Sequence, residues 1–351
     1  ASGSAEFFAQ GAISILEGLG CIDTLCFGSE CGELSVLQHI AQLLLSESDT
    51  YSHMLQDALK KGHSFPAARH QALEKLTGDA SVSQILSEPN NILGIEYLKA
   101  LKKQNSRMVP YTLKRDSSGY HDTKLQPQSS SASAIRNALR HWEEQPFSRY
   151  PADPQQTPDG FSELLQNQLP ENALRLLRDA WNQSCPIETN DFSLLLKYRL
   201  LCETRRSLCE YQDISEDLAN RIIRNRNQFL NFEQFCQLLK TKELTYSRIS
   251  RGLLHILLAV KKEDMLRYRE SSCIYTRILG FRKEHADVLR QIKENASIPV
   301  ITKLGQTDSL LPETIRMLDQ TTFASDLYES VVSDKFGIPF INEYQKQIIH
   351  V

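Results

Sequence analysis

The sequence lacks the features that would tie it to a membrane or a metal. No apolar run in it approaches the roughly 18 residues a membrane-spanning helix requires. Eight cysteines, at positions 21, 26, 31, 185, 202, 209, 236 and 273, include no CxxC pair and no histidine at zinc-site spacing. They are expected to be reduced, mostly buried thiols of a cytoplasmic protein rather than metal ligands. No internal repeat is present, which excludes a solenoid.

What is present is an ordinary globular composition of 41% hydrophobic and 24% charged residues over 351 positions. That length allows two domains with real cores. The first stretch, "ASGSAEFFAQGAISILEGLG", already carries the apolar face of a helix, with Gly18 and Gly20 near its end. Because the chain begins inside such a pattern, part of an α/β unit is expected to precede Ala1.

From residue 1 to about 145, helices (4–18, 33–45, 48–61, 66–77, 89–103, 133–144) alternate with strands at 22–27 and 107–113. This alternation predicts an α/β fold with a parallel sheet covered by helices, an incomplete Rossmann-like domain. Ligands of such sheets sit beyond the carboxyl ends of the strands. "FGSE" (27–30) and "KRDSSGYHD" (114–122) lie there. Residues 146–160, "PFSRYPADPQQTPDG", hold four prolines and read as a linker. Beyond it, 161–351 reads as a mostly helical domain, with helices at 161–182, 190–210, 214–225, 231–240, 245–260 and 282–295. Short strands are expected within 272–281 and 298–304.

Charge is uneven. Residues 221–293 hold 16 Lys and Arg against 7 Asp and Glu, a balance of +9 in a chain whose net charge is −3. A basic tract inside an acidic protein suggests a polyanion site, although a solvated helix face accounts for the charge equally well. Its densest part places Lys240, Lys242, Arg248, Arg251, Lys261 and Lys262 around an apolar helix.

"SSSASAIRNALR" (129–140) brings serines up to a helix start that carries Arg136. A serine hydroxyl can cap the first turn, and the free N–H groups with the helix dipole attract anions. Taken alone, a plain cap with a surface arginine explains it better. Three other segments converge on the same sheet edge: Lys114 and Arg115 after a strand, the asparagines of "EPNN" opening a helix, and Gly28, whose missing side chain allows close backbone approach.

In this order and spacing, "SAEFFAQGAISILEGLG", "LCFGSE", "EPNNILGIEYLKAL", "YTLKR", "GYHD" and "SASAIR" resemble the bacterial tRNA(Met) cytidine acetate ligases of the nucleotidylyltransferase-like superfamily. The resemblance continues through "KTKELTYSRISRGLLHILL", "YTRILGF" and "IPVITK". It implies an enzyme that joins acetate to the N4 amine of the wobble cytidine of elongator tRNA(Met) through acetyl-adenylate, consuming ATP with Mg2+. It further implies an ATP site built from Gly28, Asn90, Arg115, Asp116, Ser131, Ser133 and Arg136. Ala132 stands where the superfamily often has a second serine, and Asp116 is an odd neighbour for a polyphosphate. The basic tract, with Lys240, Lys242, Arg248 and Arg251, is expected to grip tRNA phosphates. Tyr120, His121 and Asp122 either orient ligand or order their own loop, and no catalytic residue is assigned.

The family opens with an HxGH-type phosphate motif. His39, His53, His63, His70 and His121 do not form one, so that motif is expected upstream of Ala1 and the chain alone is expected to turn over little. Two other readings stay open: a nucleotidylyltransferase for a small cofactor precursor, and an RNA-binding protein without catalysis.

Overall fold

The computed structural model describes residues 3–46, 49–62, 65–78, 80–115, 124–126, 130–143, 164–165, 167–270, 275–306 and 310–350. Helix α1 (Ala5–Leu19) starts where Ser4 Oγ accepts from Phe7 N at 3.2 Å and stops at Gly20, whose φ of +71° suits a residue without a side chain. Strand β1 (Thr24–Ser29) follows, then α2 (Leu34–Ser46), α3 (Asp49–Lys60), α4 (Phe65–Thr77), α5 (Ala80–Ile85), α6 (Pro89–Lys103) and β2 (Val109–Lys114). The order matches the alternation expected from sequence, with the short α5 added.

Strands β1 and β2 pair in parallel, with Cys26 opposite Tyr111 and Gly28 opposite Leu113. Ala9, Ile13, Phe27, Leu37, Ile95 and Leu98 meet in one core beneath them. Among the described residues, helices cover one face of this pair. The pleat turns every second residue the other way, and Val109, Tyr111 and Leu113 stand 52%, 55% and 65% exposed there, with Cys26 exposed beside them. The thiols need a matching correction: of the seven described cysteines only Cys236 is buried, and burial pushes it up to about 12. All seven are free.

Helix α7 (Ala132–Glu143) is followed by α8 (Glu171–Ala180), α9 (Ser193–Cys202), α10 (Arg205–Leu208), α11 (Glu216–Asn225), α12 (Phe232–Leu239), α13 (Tyr246–Leu257) and α14 (Lys262–Glu270). A second core joins Leu196, Leu200, Tyr211, Leu218, Phe229, Phe235, Leu253 and Ile256. The helix expected over 190–210 is broken, because Thr204 Oγ1 accepts from Ser207 N and opens a new helix. Of the one expected over 161–182, residues 164–165 are helical, 167–169 form a turn, and a separate helix runs from Glu171 to Ala180 after Pro170.

The chain ends with β3 (Thr276–Arg277), β4 (Gly280–Phe281), α15 (Ala286–Asn295), β5 (Val300–Ile301), α16 (Pro312–Phe336) and β6 (Ile349–His350). The two strands expected at 272–281 and 298–304 are thus reduced to two-residue pairings, β3 with β5 and β4 with β6. Helix α16, 25 residues long, was not expected. The segment after α15 returns to α1: Ser297 N donates to Gly18 O at 2.9 Å, and a Cβ on Gly18 would lie 2.8 Å from Ile298. The end of α1 and the segment after α15 are therefore packed together across the sequence.

Candidate nucleotide and RNA site

The turn after β1 is latched to the start of α6. Glu30 Oε1 accepts from Asn90 Nδ2 at 2.7 Å and Oε2 from Asn91 N at 2.9 Å. In return, Asn91 Oδ1 accepts from the backbone N–H of Glu30 and Cys31 at 2.9 and 3.1 Å. Helix α6 gets no side-chain cap from its own N-cap residue, Glu88. The carboxylate of Glu30, from another element, meets the open N–H groups instead. Ser29, fully buried, completes the turn by sharing a 2.6 Å hydrogen bond with Thr112 and accepting from Gly32 N at 3.1 Å.

A groove of about 280 Å³ runs along β1. Consecutive residues Leu25, Cys26, Phe27 and Gly28 form one wall. Asn90, Leu93, Gly94 and Tyr97 form the other. Their i, i+3, i+4, i+7 spacing puts them on one stripe of α6. Arg115 closes the carboxyl end of the strands. No strand pairs with the outer edge of β1 among the described residues. Tyr97 titrates above the ordinary phenol range because burial disfavours its anion.

Gly28, Asn90 and Arg115, three of the residues singled out from sequence, thus share one wall or mouth. Ser131, Ser133 and Arg136 do not line the groove. Ser131, 5% exposed, is the cap of α7: its Oγ accepts from Ala134 N at 3.0 Å. Ser133 is half-buried and Arg136 exposed on the first turn. Asp116 and the Tyr120, His121, Asp122 group lie outside the described residues. Sequence reasoning missed Glu30, Leu93 and Tyr97. The helical spacing from Asn90 was the readable signal for the last two; Glu30 lay within the singled-out "FGSE" turn, but nothing local marked its pairing with the start of α6.

The basic tract divides in two. Lys240 and Lys242 project from the turn between α12 and α13, where Thr241 Oγ1 accepts from Leu244 N at 3.0 Å. Arg248 sits on the first turn of α13, which Thr245 caps. All three are exposed and have no acidic partner among the described residues. The rest are engaged. Arg251 donates to Asp213 at 2.5 Å, Lys261 lies 3.6 Å over the Tyr211 ring, and Lys262 donates to the carbonyls of Cys209 and Ile214.

Among the described residues no three His, Cys, Asp or Glu side chains converge as metal ligands, and no helix is long and apolar enough to cross a membrane.

Residues 1–338 match the family described as HIGH Nucleotidyl Transferase. The chain is 36% identical over 329 residues to the tRNA(Met) cytidine acetate ligase of Caldanaerobacter subterraneus subsp. tengcongensis, covering 93% of this chain and 76% of that protein. To the enzyme of the same name from Clostridium acetobutylicum it is 38% identical over 311 residues, 86% of this chain and 72% of the other. The crystal structure of Thermotoga maritima TmcAL in its apo form superposes with a TM-score of 0.86 at 26% identity, covering 99% of this chain and 81% of that one. The same protein bound with alpha-thio ATP gives 0.84 at 25%, with the same coverage. By its sequence and its fold, then, the chain belongs to the HIGH nucleotidyl transferases, among the tRNA(Met) cytidine acetate ligases.

Proposed function

We propose that this chain is the ATP-dependent ligase that acetylates the N4 amine of the wobble cytidine of elongator tRNA(Met). The observation that carries the reading is the meeting of Gly28, Asn90 and Arg115 at one groove beyond the strands, in a chain whose relatives bear that name and whose structural neighbour holds an ATP analogue. Residues 1–145 serve as the nucleotide unit and 161–351 as the tRNA unit of a cytoplasmic enzyme; the linker expected at 146–160 lies outside the described residues.

The groove takes the base and sugar, being small and lined by the apolar Leu25, Phe27 and Leu93 together with the polar Asn90, Tyr97 and Arg115. The N-terminus of α6 is already filled by Glu30, so the phosphates lie toward Arg115 and the start of α7, where Ser133 and Arg136 add donors and charge.

An acetate oxygen attacks the α-phosphorus and pyrophosphate leaves. The cytidine amine then attacks the acetyl carbon, AMP leaves, and the amine gives up a proton. Neither step needs a protein nucleophile; both need alignment and neutralised charge. Mg2+ would be held chiefly by the nucleotide's own phosphates, whose charge it would neutralise, since no set of His, Cys, Asp or Glu ligands converges among the described residues. Lys240, Lys242 and Arg248 hold RNA phosphates while the anticodon loop presents an unstacked base.

The test is transfer of labelled acetate to elongator tRNA(Met), with and without ATP. ATP-dependent label in N4-acetylcytidine is expected. tRNA binding with no transfer, by this chain or by one extended at its N-terminus, would favour an RNA-binding protein without catalysis.

A further inference from the structure

We infer that Glu30 is a positioning residue that fixes the polarity of the Asn90 side-chain amide, so that the groove reads the adenosine part of its nucleotide through a hydrogen-bond acceptor. The inference rests on the nucleotide reading above and adds what selects the nucleoside.

An asparagine amide has a donor end and an acceptor end, and the two have nearly the same shape. Which end faces a ligand is decided by what holds the other. Here Nδ2 of Asn90 donates to Glu30 Oε1 at 2.7 Å. A carboxylate offers only acceptors, so the amide cannot turn over without setting oxygen against oxygen. Oδ1 has no hydrogen-bond partner among the described residues, and Asn90 lines the groove beside Gly28 and Arg115. The groove is therefore offered an unpaired oxygen, which a ligand satisfies by bringing it a donor.

Glu30 is itself immobilised. Its second oxygen accepts from Asn91 N at 2.9 Å, and its own N–H donates to Asn91 Oδ1 at 2.9 Å. Asn91 is 2% exposed, and its Nδ2 donates to Ile85 O at 3.1 Å. The chain of polarity thus runs from a buried asparagine through Glu30 to the amide at the groove.

Two parts of adenosine carry donors: the exocyclic amine of the base and the sugar hydroxyls. A purine with a carbonyl in place of the amine would set a lone pair against Oδ1. A site built to pair one polar group rejects an analogue that leaves it unpaired.

The experiment is calorimetric titration of the wild type, Glu30→Gln, Asn90→Ala and the double variant Glu30→Gln/Asn90→Asp with ATP, inosine triphosphate, 2′-deoxy-ATP and 3′-deoxy-ATP. The wild type should prefer ATP by about tenfold over inosine triphosphate if the donor is the amine, or over one deoxy analogue if it is a hydroxyl. The amide introduced by Glu30→Gln can present either end to Asn90, so E30Q should bring that ratio to within about twofold. N90A, which leaves the backbone N–H bonds to Glu30 in place, should do the same. In the double variant the new amide donates to the new carboxylate and an oxygen again faces the groove, so the preference should return. A purely structural role would weaken all four ligands equally or shift only Tm. Equal weakening, an unchanged ratio in E30Q, or a wild type with no preference overturns the inference alone. A wild type that binds no nucleotide overturns the nucleotide reading as well.

Discussion

Nε of Arg251 donates to Oδ2 of Asp213 at 2.5 Å, and the buried ring of His255 lies 3.5 Å from the same oxygen. Arg251 therefore serves the interior of the helical unit, while Lys240, Lys242 and Arg248 face solvent. Alanine at each of those three should lower the slope of log affinity for tRNA against log salt by about 0.7–0.9. Arg251→Ala should change that slope little and cost about 1 kcal/mol of stability, since the pair is only partly screened by solvent. Filter binding across a salt series, with urea unfolding beside it, separates the two roles. Equal slopes for all four variants would contradict the division.

The two glycines of the groove should behave in opposite ways. A Cβ on Gly94 would lie 2.5 Å from Cε2 of Phe27, a ring packed in the core. Gly94→Ala should destabilise the nucleotide unit by about 1–3 kcal/mol through overpacking. A Cβ on Gly28 would meet Cγ of Arg115 first, at 3.5 Å, an ordinary contact. Gly28→Ala should leave Tm nearly unchanged and lower ATP affinity about tenfold, because the methyl occupies ligand space. Thermal unfolding and ATP titration of both variants decide the matter. A Tm loss in Gly28→Ala as large as in Gly94→Ala would mean that Gly28 is needed for folding.

The helix start at 131–133 offers a similar contrast. Ser131→Ala removes the cap of α7 and should cost about 1 kcal/mol. Arg136→Ala removes an exposed side chain, so stability should hold within about 0.5 kcal/mol while ATP affinity falls about tenfold. If Arg136→Ala leaves ATP binding intact, the segment is a capped helix and nothing more.

These residues also show how far the sequence could be read. Local signals were legible: Ser4 and Gly20 bound α1, Thr245 opens α13, and the serine run ends in a cap. So was the convergence of Gly28, Asn90 and Arg115, which depends on strand order. Pairings across long separations were not. Glu30 meets Asn90 and Asn91 some 60 residues on, and Asp213 meets Arg251 38 residues on. A charge count treats Arg251 like Lys240 because it cannot see which cations are already neutralised. Helix α16 was missed although Pro312 and Gly337 mark its ends, since its 25 residues show no strong single apolar face. The thiols were misjudged because cysteine's usual burial says nothing about which side of a pleat a residue takes, as at Cys26.

The last prediction concerns the tie that fastens the end of the chain. Burial alone would push the Glu343 carboxyl up, yet hydrogen bonds from Lys346 at 2.8 Å, Ser325 at 2.5 Å and the Arg277 ion pair at 2.6 Å hold it down at about 2. The folded value lies below the ordinary 4.5, so the contribution to stability is complete above that pH and drains away as pH falls toward 2. Its size is of order 3 kcal/mol, from the shift alone. Because Ser325 lies on α16 and Arg277 on β3, the same carboxylate joins the last segment to two separate elements. Glu343→Gln should lose about 2–3 kcal/mol at pH 7 and show a flatter loss of stability between about pH 4.5 and 2.5 than the wild type. Urea unfolding at several pH values measures both. Parallel curves for the two proteins would mean that the carboxylate contributes nothing through its charge.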